Sequence, residues 1–105
     1  MESFGKDLDC VTQISLDSLK EIKEKLLKIE IFRTDITQKC CRFIFENGYY
    51  DASGFNIGYW GEGPRGLWKA ISMFYPNLYP SFEDSKINLL KHHVNYEWTP
   101  EDGFK

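Results

Sequence analysis

A glycine-rich stretch in the middle of the chain, GYWGEGPRGLWKA at residues 58–70, constrains the fold more than any other segment. Glycine and proline interrupt regular structure, and here they stand directly before apolar residues at helical spacing. These residues occupy positions i, i+3, i+4 and i+7: Leu67, Ala70, Ile71 and Phe74. With Pro76 closing the run, the pattern predicts a turn followed by a helix over residues 64–75.

Gly61, Gly63 and Gly66 also spell G-x-G-x-x-G, the spacing that holds a dinucleotide pyrophosphate in Rossmann enzymes. Several features oppose such a site: Pro64 lacks a backbone N–H, and Glu62 would place a carboxylate against phosphate oxygens. Two prolines after the predicted helix disfavour the parallel strand that the motif requires. We therefore predict no cofactor. Instead, we expect Gly61 and Gly63 to permit positive φ in a tight turn, Pro64 to open the helix, and Gly66 to allow close packing against a sheet.

The N-terminal part of the chain shows a helical pattern over residues 16–29, preceded by a loosely ordered start at residues 1–8 and a short strand at residues 10–14. The helix would be capped by Asp17 or Ser18. Its apolar stripe consists of Leu16, Leu19, Ile22, Leu26 and Ile29. Its polar side carries two i, i+4 pairs, typical of a solvated face: Glu21 with Lys25, and Glu24 with Lys28.

Alternating residues predict two strands within residues 39–60, joined by a turn at residues 51–54; a helix over residues 34–45 is the competing interpretation. Further on, Ser81 to Asp84 resembles a capping box and predicts a last helix of about ten residues. An extended segment with Tyr96 and Trp98 follows. The fold class is α+β: a small single domain, residues 1–105, in which an antiparallel hairpin or small sheet is packed by three helices.

Composition and charge limit the possible partners. The chain is 42% hydrophobic and carries a net charge of -3, without an unbalanced cluster of lysine or arginine. We therefore expect no nucleic-acid binding, whereas a basic protein partner suits this charge. Neither a secretory signal nor a membrane-spanning run is recognised. The odd cysteine set, Cys10, Cys40 and Cys41, favours free thiols and a cytoplasmic location.

Catalytic and metal motifs are not recognised. His92 and His93 are adjacent, so on a helix they point about 100° apart, whereas helical zinc sites use i, i+4 spacing. The sequence contains no nucleophile elbow and no Ser-His-Asp signature. We therefore predict a non-enzymatic protein without metal or cofactor.

Aromatic and charged residues are concentrated around the glycine-rich turn. Trp, Tyr and Arg often anchor protein interfaces, whereas Trp68 lies beside the apolar helix face and is expected in the core. The predicted partner-binding residues are Tyr59, Trp60, Glu62 and Arg65.

The segment FNIGYWGEGPRGLWKAI, residues 55–71, resembles the strand, G-x-G-P-x-G turn and helix of some small cytoplasmic immunity proteins of bacterial toxin systems. The resemblance implies an acidic single-domain protein that neutralises a cognate toxin by direct binding, without a cofactor. Glu62 would steer a basic toxin, and Tyr59, Trp60 and Arg65 would supply short-range anchors. The alternative is a regulatory domain that binds a small molecule or anion through the loop and Arg65. No feature of the sequence indicates whether the chain is a monomer or an oligomer.

Overall fold

A computed structural model describes residues 2–7, 12–33, 39–52 and 54–105. The elements in chain order are β1 (Glu2–Asp7), α1 (Thr12–Lys20), β2 (Leu26–Arg33), β3 (Lys39–Phe45), β4 (Gly48–Ala52), α2 (Glu62–Phe74), α3 (Phe82–Ser85), β5 (Tyr96–Thr99) and β6 (Gly103–Phe104). A short 3₁₀ turn, Ile87–Leu89, follows α3.

The strands form one six-stranded mixed sheet in the order β1-β4-β3-β2-β5-β6. Strand β1 pairs in parallel with β4, and the other neighbours are antiparallel. Helices α1 and α2 contact each other and share one core with alternate sheet residues, which include Ile29, Phe43 and Trp98. The predicted α+β class, with a small sheet packed by three helices, is confirmed.

The N-terminal predictions were wrong in three places. Residues 2–7 form a sheet strand, and residues 12–14 belong to α1. The helix predicted over residues 16–29 ends at Lys20, and β2 begins at Leu26. Because β2 lies between β3 and β5, pairing on both edges overrides the helical spacing of Leu26 and Ile29.

Consequently, Lys28 and Glu24 of the predicted helical charge pairs make other contacts, one between neighbouring strands and one between two loops. The Lys28 ammonium lies 3.1 Å from the Glu97 carboxylate on β5. The Glu24 carboxylate accepts a hydrogen bond from the Asn47 backbone N–H at 2.9 Å. These exposed groups contribute little to stability, but they show that the polar pattern belongs to a strand and a turn.

An antiparallel hairpin is present in this part of the chain, but the predicted turn at residues 51–54 and the predicted strand after it are wrong: β3 and β4 are joined at residues 46–47. Asp51 belongs to β4, where its carboxylate accepts two hydrogen bonds from Arg42 on β3, at 2.7 and 3.0 Å. Phe55 and Ile57 are buried without forming a strand. The competing helix over residues 34–45 is wrong for residues 39–45, which form β3, and residues 34–38 lie outside the described residues.

The C-terminal prediction was correct at its start and too long. Ser81 accepts a hydrogen bond from the Asp84 backbone N–H, and the Asp84 carboxylate accepts one from the Ser81 N–H, so the capping box is confirmed. The helix ends after four residues because Lys86 adopts a left-handed φ of 62°. Tyr96 and Trp98 lie in β5, as predicted.

The adjacent cysteines Cys40 and Cys41 are buried, on opposite faces of β3; Cys10 lies outside the described residues. Burial, followed by repulsion from the nearby Asp51 carboxylate, raises the pKa of the Cys40 thiol from 9.0 to about 11. A thiol with this pKa is mostly protonated at neutral pH and is a poor nucleophile.

This raised pKa predicts a loss of stability in alkaline solution. The unfolded chain ionises Cys40 at its ordinary pKa, so the stability that the neutral thiol contributes is complete below about pH 9 and is lost as the pH rises through about 11. Urea unfolding across this range should show a smaller decline for Cys40→Ala than for the original protein. Parallel declines in the two proteins would refute the prediction.

Candidate functional site

A turn at Gly58 positions the aromatic residues that follow. Gly58 has a φ of 86°, and its N–H donates to the Ile87 carbonyl at 2.9 Å. A Cβ at this position would lie 2.7 Å from the His92 ring and 2.8 Å from the Leu90 carbonyl oxygen. Glycine is therefore required here, because both the backbone angle and the space exclude a side chain.

The predictions for the other loop glycines need correction. Gly61 has a φ of -169°, which is extended backbone that any residue adopts, although a Cβ there would overlap the Tyr59 ring. Gly63 lies within α2 without a positive φ. Helix α2 begins at Glu62, so Pro64 lies in the first turn but not at the first position. The close approach predicted at Gly66 is confirmed, but its neighbours are Thr12 of α1 and Phe55 instead of a strand.

Trp60 and Arg65 meet above a buried aromatic ring. Trp60 is 55% exposed and lies edge-on to Phe82, with ring centroids 5.3 Å apart. The Arg65 guanidinium lies 5.5 Å from the Trp60 ring centroid and 5.0 Å from that of Phe82. We call the outward-facing group of Tyr59, Trp60 and Arg65 the aromatic surface.

Tyr59 forms the second part of this surface. Its ring stacks on His92 with centroids 5.6 Å apart and planes 12° apart, and Tyr59 remains 41% exposed. His92 and His93 lie in a turn instead of on a helix. The stack on His92 therefore orients a Tyr59 ring that is still partly exposed to solvent.

Glu62 and Arg65 also line a groove of about 320 Å³ between the N-terminal parts of α1 and α2. Lys69, one helical turn after Arg65, and Gln13 of α1 lie along the same groove. Within the described residues, the side chains of Glu62, Arg65 and Lys69 make no ion pair. The four predicted residues thus belong to two adjoining features. Tyr59, Trp60 and Arg65 form the aromatic surface, and Glu62 and Arg65 line the groove.

Two supporting residues were missed from the sequence. Phe82 is only 2% exposed, and its ring contacts both Trp60 and Arg65. In the sequence, its place in the capping-box segment indicated the start of a helix but no part in the site. No sequence pattern indicates that His92 stacks on Tyr59. Trp68, which was expected in the core, is partly buried and packs against it, and its indole Nε1 donates to the Tyr79 carbonyl at 3.0 Å.

The surroundings of the loop differ from those of a dinucleotide site. Strand β4 ends at Ala52, well before Gly61, so the glycines do not directly follow a strand in the described residues. The next strand after α2 is β5, which pairs antiparallel with β2, whereas the Rossmann arrangement needs a parallel neighbour. The geometry adds to the sequence evidence against a pyrophosphate site.

Comparisons with protein-family models, with curated proteins and with solved structures find no match to this chain. Across residues 2–7, 12–33, 39–52 and 54–105, no cluster of three or more histidine, cysteine or carboxylate side chains is placed to hold a metal ion. Among the described helices, none has both the length and the apolar character needed to cross a bilayer.

Proposed function

We propose that this chain is a non-enzymatic protein-binding domain that neutralises a cognate bacterial toxin by direct contact through the aromatic surface. The observation that carries the proposal is the exposure of Trp60 together with Arg65, both held in place by the buried ring of Phe82. Trp, Tyr and Arg are the residues most enriched among those that dominate binding energy. The immunity-protein assignment itself rests on the resemblance of residues 55–71.

Rigidity of the aromatic surface supports its use in binding. Trp60 lies edge-on to Phe82, the Arg65 guanidinium lies over the same ring, and Tyr59 stacks on His92, so these contacts reduce the side-chain freedom that binding a partner would remove. The net charge of -3 favours encounter with a basic partner, and exposed Glu62 adds a negative group close to the contact.

Protection of a bacterial host tests this function. A toxin domain encoded beside this gene is co-expressed with the original protein or with Trp60→Ala or Arg65→Ala. We expect the original protein to restore growth and both variants to protect poorly, since loss of an anchor weakens binding about tenfold or more. Thermal midpoints should stay near the original value because both side chains are exposed.

Leu27→Ala is the matched control. Leu27 is also an exposed apolar residue, but it lies near the C-terminal end of α2, whereas the aromatic surface lies at the N-terminal end. The carbonyl of the preceding residue, Leu26, accepts a hydrogen bond from Tyr75, which follows α2. This variant should protect like the original protein. Full protection by Trp60→Ala and Arg65→Ala would contradict the proposed surface. Unfolding of both variants would show that the two side chains are needed for the fold, and it would count against their role in binding.

Anion binding is the second candidate because Arg65 and Lys69 line the groove between α1 and α2. In this role the chain would be a regulatory domain that binds a small molecule or anion at the glycine-rich loop. A thermal-shift screen with nucleotides and inorganic phosphate distinguishes the two functions. A midpoint raised by one of these compounds, and not in Arg65→Ala, would favour the second candidate.

A further inference from the structure

The groove beside the aromatic surface is locally positive on a chain that is acidic as a whole. Its charged lining consists of Glu62, Arg65 and Lys69, which gives one negative and two positive charges, or +1, against -3 for the chain. Arg65 and Lys69 are four residues apart on α2 and therefore lie on the same side of the helix. Both are exposed, and neither forms an ion pair with any other described residue.

Arg65 is already positioned for a planar acceptor. Its guanidinium lies near the ring faces of Trp60 and Phe82, at 5.5 and 5.0 Å from their centroids. A stacked guanidinium retains N–H donors at its perimeter, where a carboxylate can accept two parallel hydrogen bonds. An acceptor that binds here would also lie next to the exposed ring of Trp60.

We infer that the partner protein inserts an aspartate or glutamate side chain between Arg65 and Lys69, while an apolar neighbour of that residue packs on Trp60. The inference rests on the proposed function and adds the chemistry of the bound segment. A carboxylate carries one negative charge and balances the +1 of the groove, whereas a phosphate dianion would leave an excess negative charge beside Glu62. A partner that is basic overall can present this single acidic residue.

Peptide display provides the test, with random 12-residue peptides selected on the immobilised protein. The selected sequences should contain Asp or Glu beside a large apolar residue. A synthetic peptide of such a sequence is then titrated calorimetrically. Replacing its acid by the corresponding amide, which leaves the protein unaltered, should weaken binding about tenfold or more, and Arg65→Gln should weaken it similarly. Lys69→Gln should have a smaller effect.

Lys20→Gln is the control for general charge effects, because Lys20 is an exposed lysine at the opposite end of α1 from the groove. It should leave peptide affinity unchanged. Peptides that require Trp60 but contain no acid, or that bind Arg65→Gln normally, would overturn the carboxylate inference and leave the aromatic surface intact. Failure to select any peptide that requires Trp60 would count against the proposed function as well.

Discussion

Gly66→Ala is expected to destabilise the protein by about 2 kcal/mol, although alanine is the better helix former. A Cβ at Gly66 would overlap the Thr12 Cγ2 methyl group and lie 3.1 Å from the Phe55 ring. Thr12 cannot rotate away freely, because it is 7% exposed and its hydroxyl donates to the Gly54 carbonyl at 2.6 Å. The steric cost therefore exceeds the gain in helix propensity.

Thr12→Ser provides the matched control, since serine keeps the hydroxyl and removes the methyl group. The free energies of unfolding of the original protein, both single variants and the double variant are measured by urea denaturation. The double variant should recover more than about half of the loss caused by Gly66→Ala. Strictly additive effects would show that the α1–α2 contact does not explain the requirement for glycine.

Phe82→Ala should have the largest effect on stability, a loss of about 3–5 kcal/mol. Phe82 is buried, and its ring contacts Trp60 and Trp68 at centroid distances of 5.3 and 6.4 Å. Its removal leaves a cavity under Trp60 and takes away one of the two rings that hold Arg65. Partner affinity should therefore fall together with stability.

Phe82→Leu separates these two consequences. Leucine fills most of the space, so its cost should stay below about 1.5 kcal/mol, but it offers no ring face to Arg65. Urea unfolding gives the stabilities, and calorimetry gives the partner affinities. A loss below about 1 kcal/mol for Phe82→Ala would contradict the supporting role of this ring.

Local sequence signals were sufficient to predict helix α2 and the capping box at Ser81. In both cases the residues that determine the structure lie within a few positions of one another, as in the apolar i, i+3, i+4 pattern and the reciprocal Ser81–Asp84 hydrogen bonds. The predicted helix over residues 16–29 was wrong beyond Lys20 because β2 is stabilised by β3 and β5, which are distant in sequence. The spacing of apolar residues within residues 16–29 does not indicate that β2 pairs with β3 and β5.

The same distinction applies to the candidate site. Trp60 and Arg65 were identified from residue type near the glycine-rich turn, and the structure places them in contact. Their support by Phe82 and the stacking of Tyr59 on His92 join segments that the turn at Gly58 brings together. These contacts depend on the positive φ of Gly58, whereas the sequence pattern predicted positive φ at Gly61 and Gly63.

Calorimetric titration of Trp60→Ala with the proposed toxin partner is the most direct test of the central claim, that the aromatic surface is the binding site. The affinity should fall about tenfold or more relative to the original protein, while the Leu27→Ala control binds normally and both variants remain folded. An unchanged dissociation constant for folded Trp60→Ala would contradict the claim.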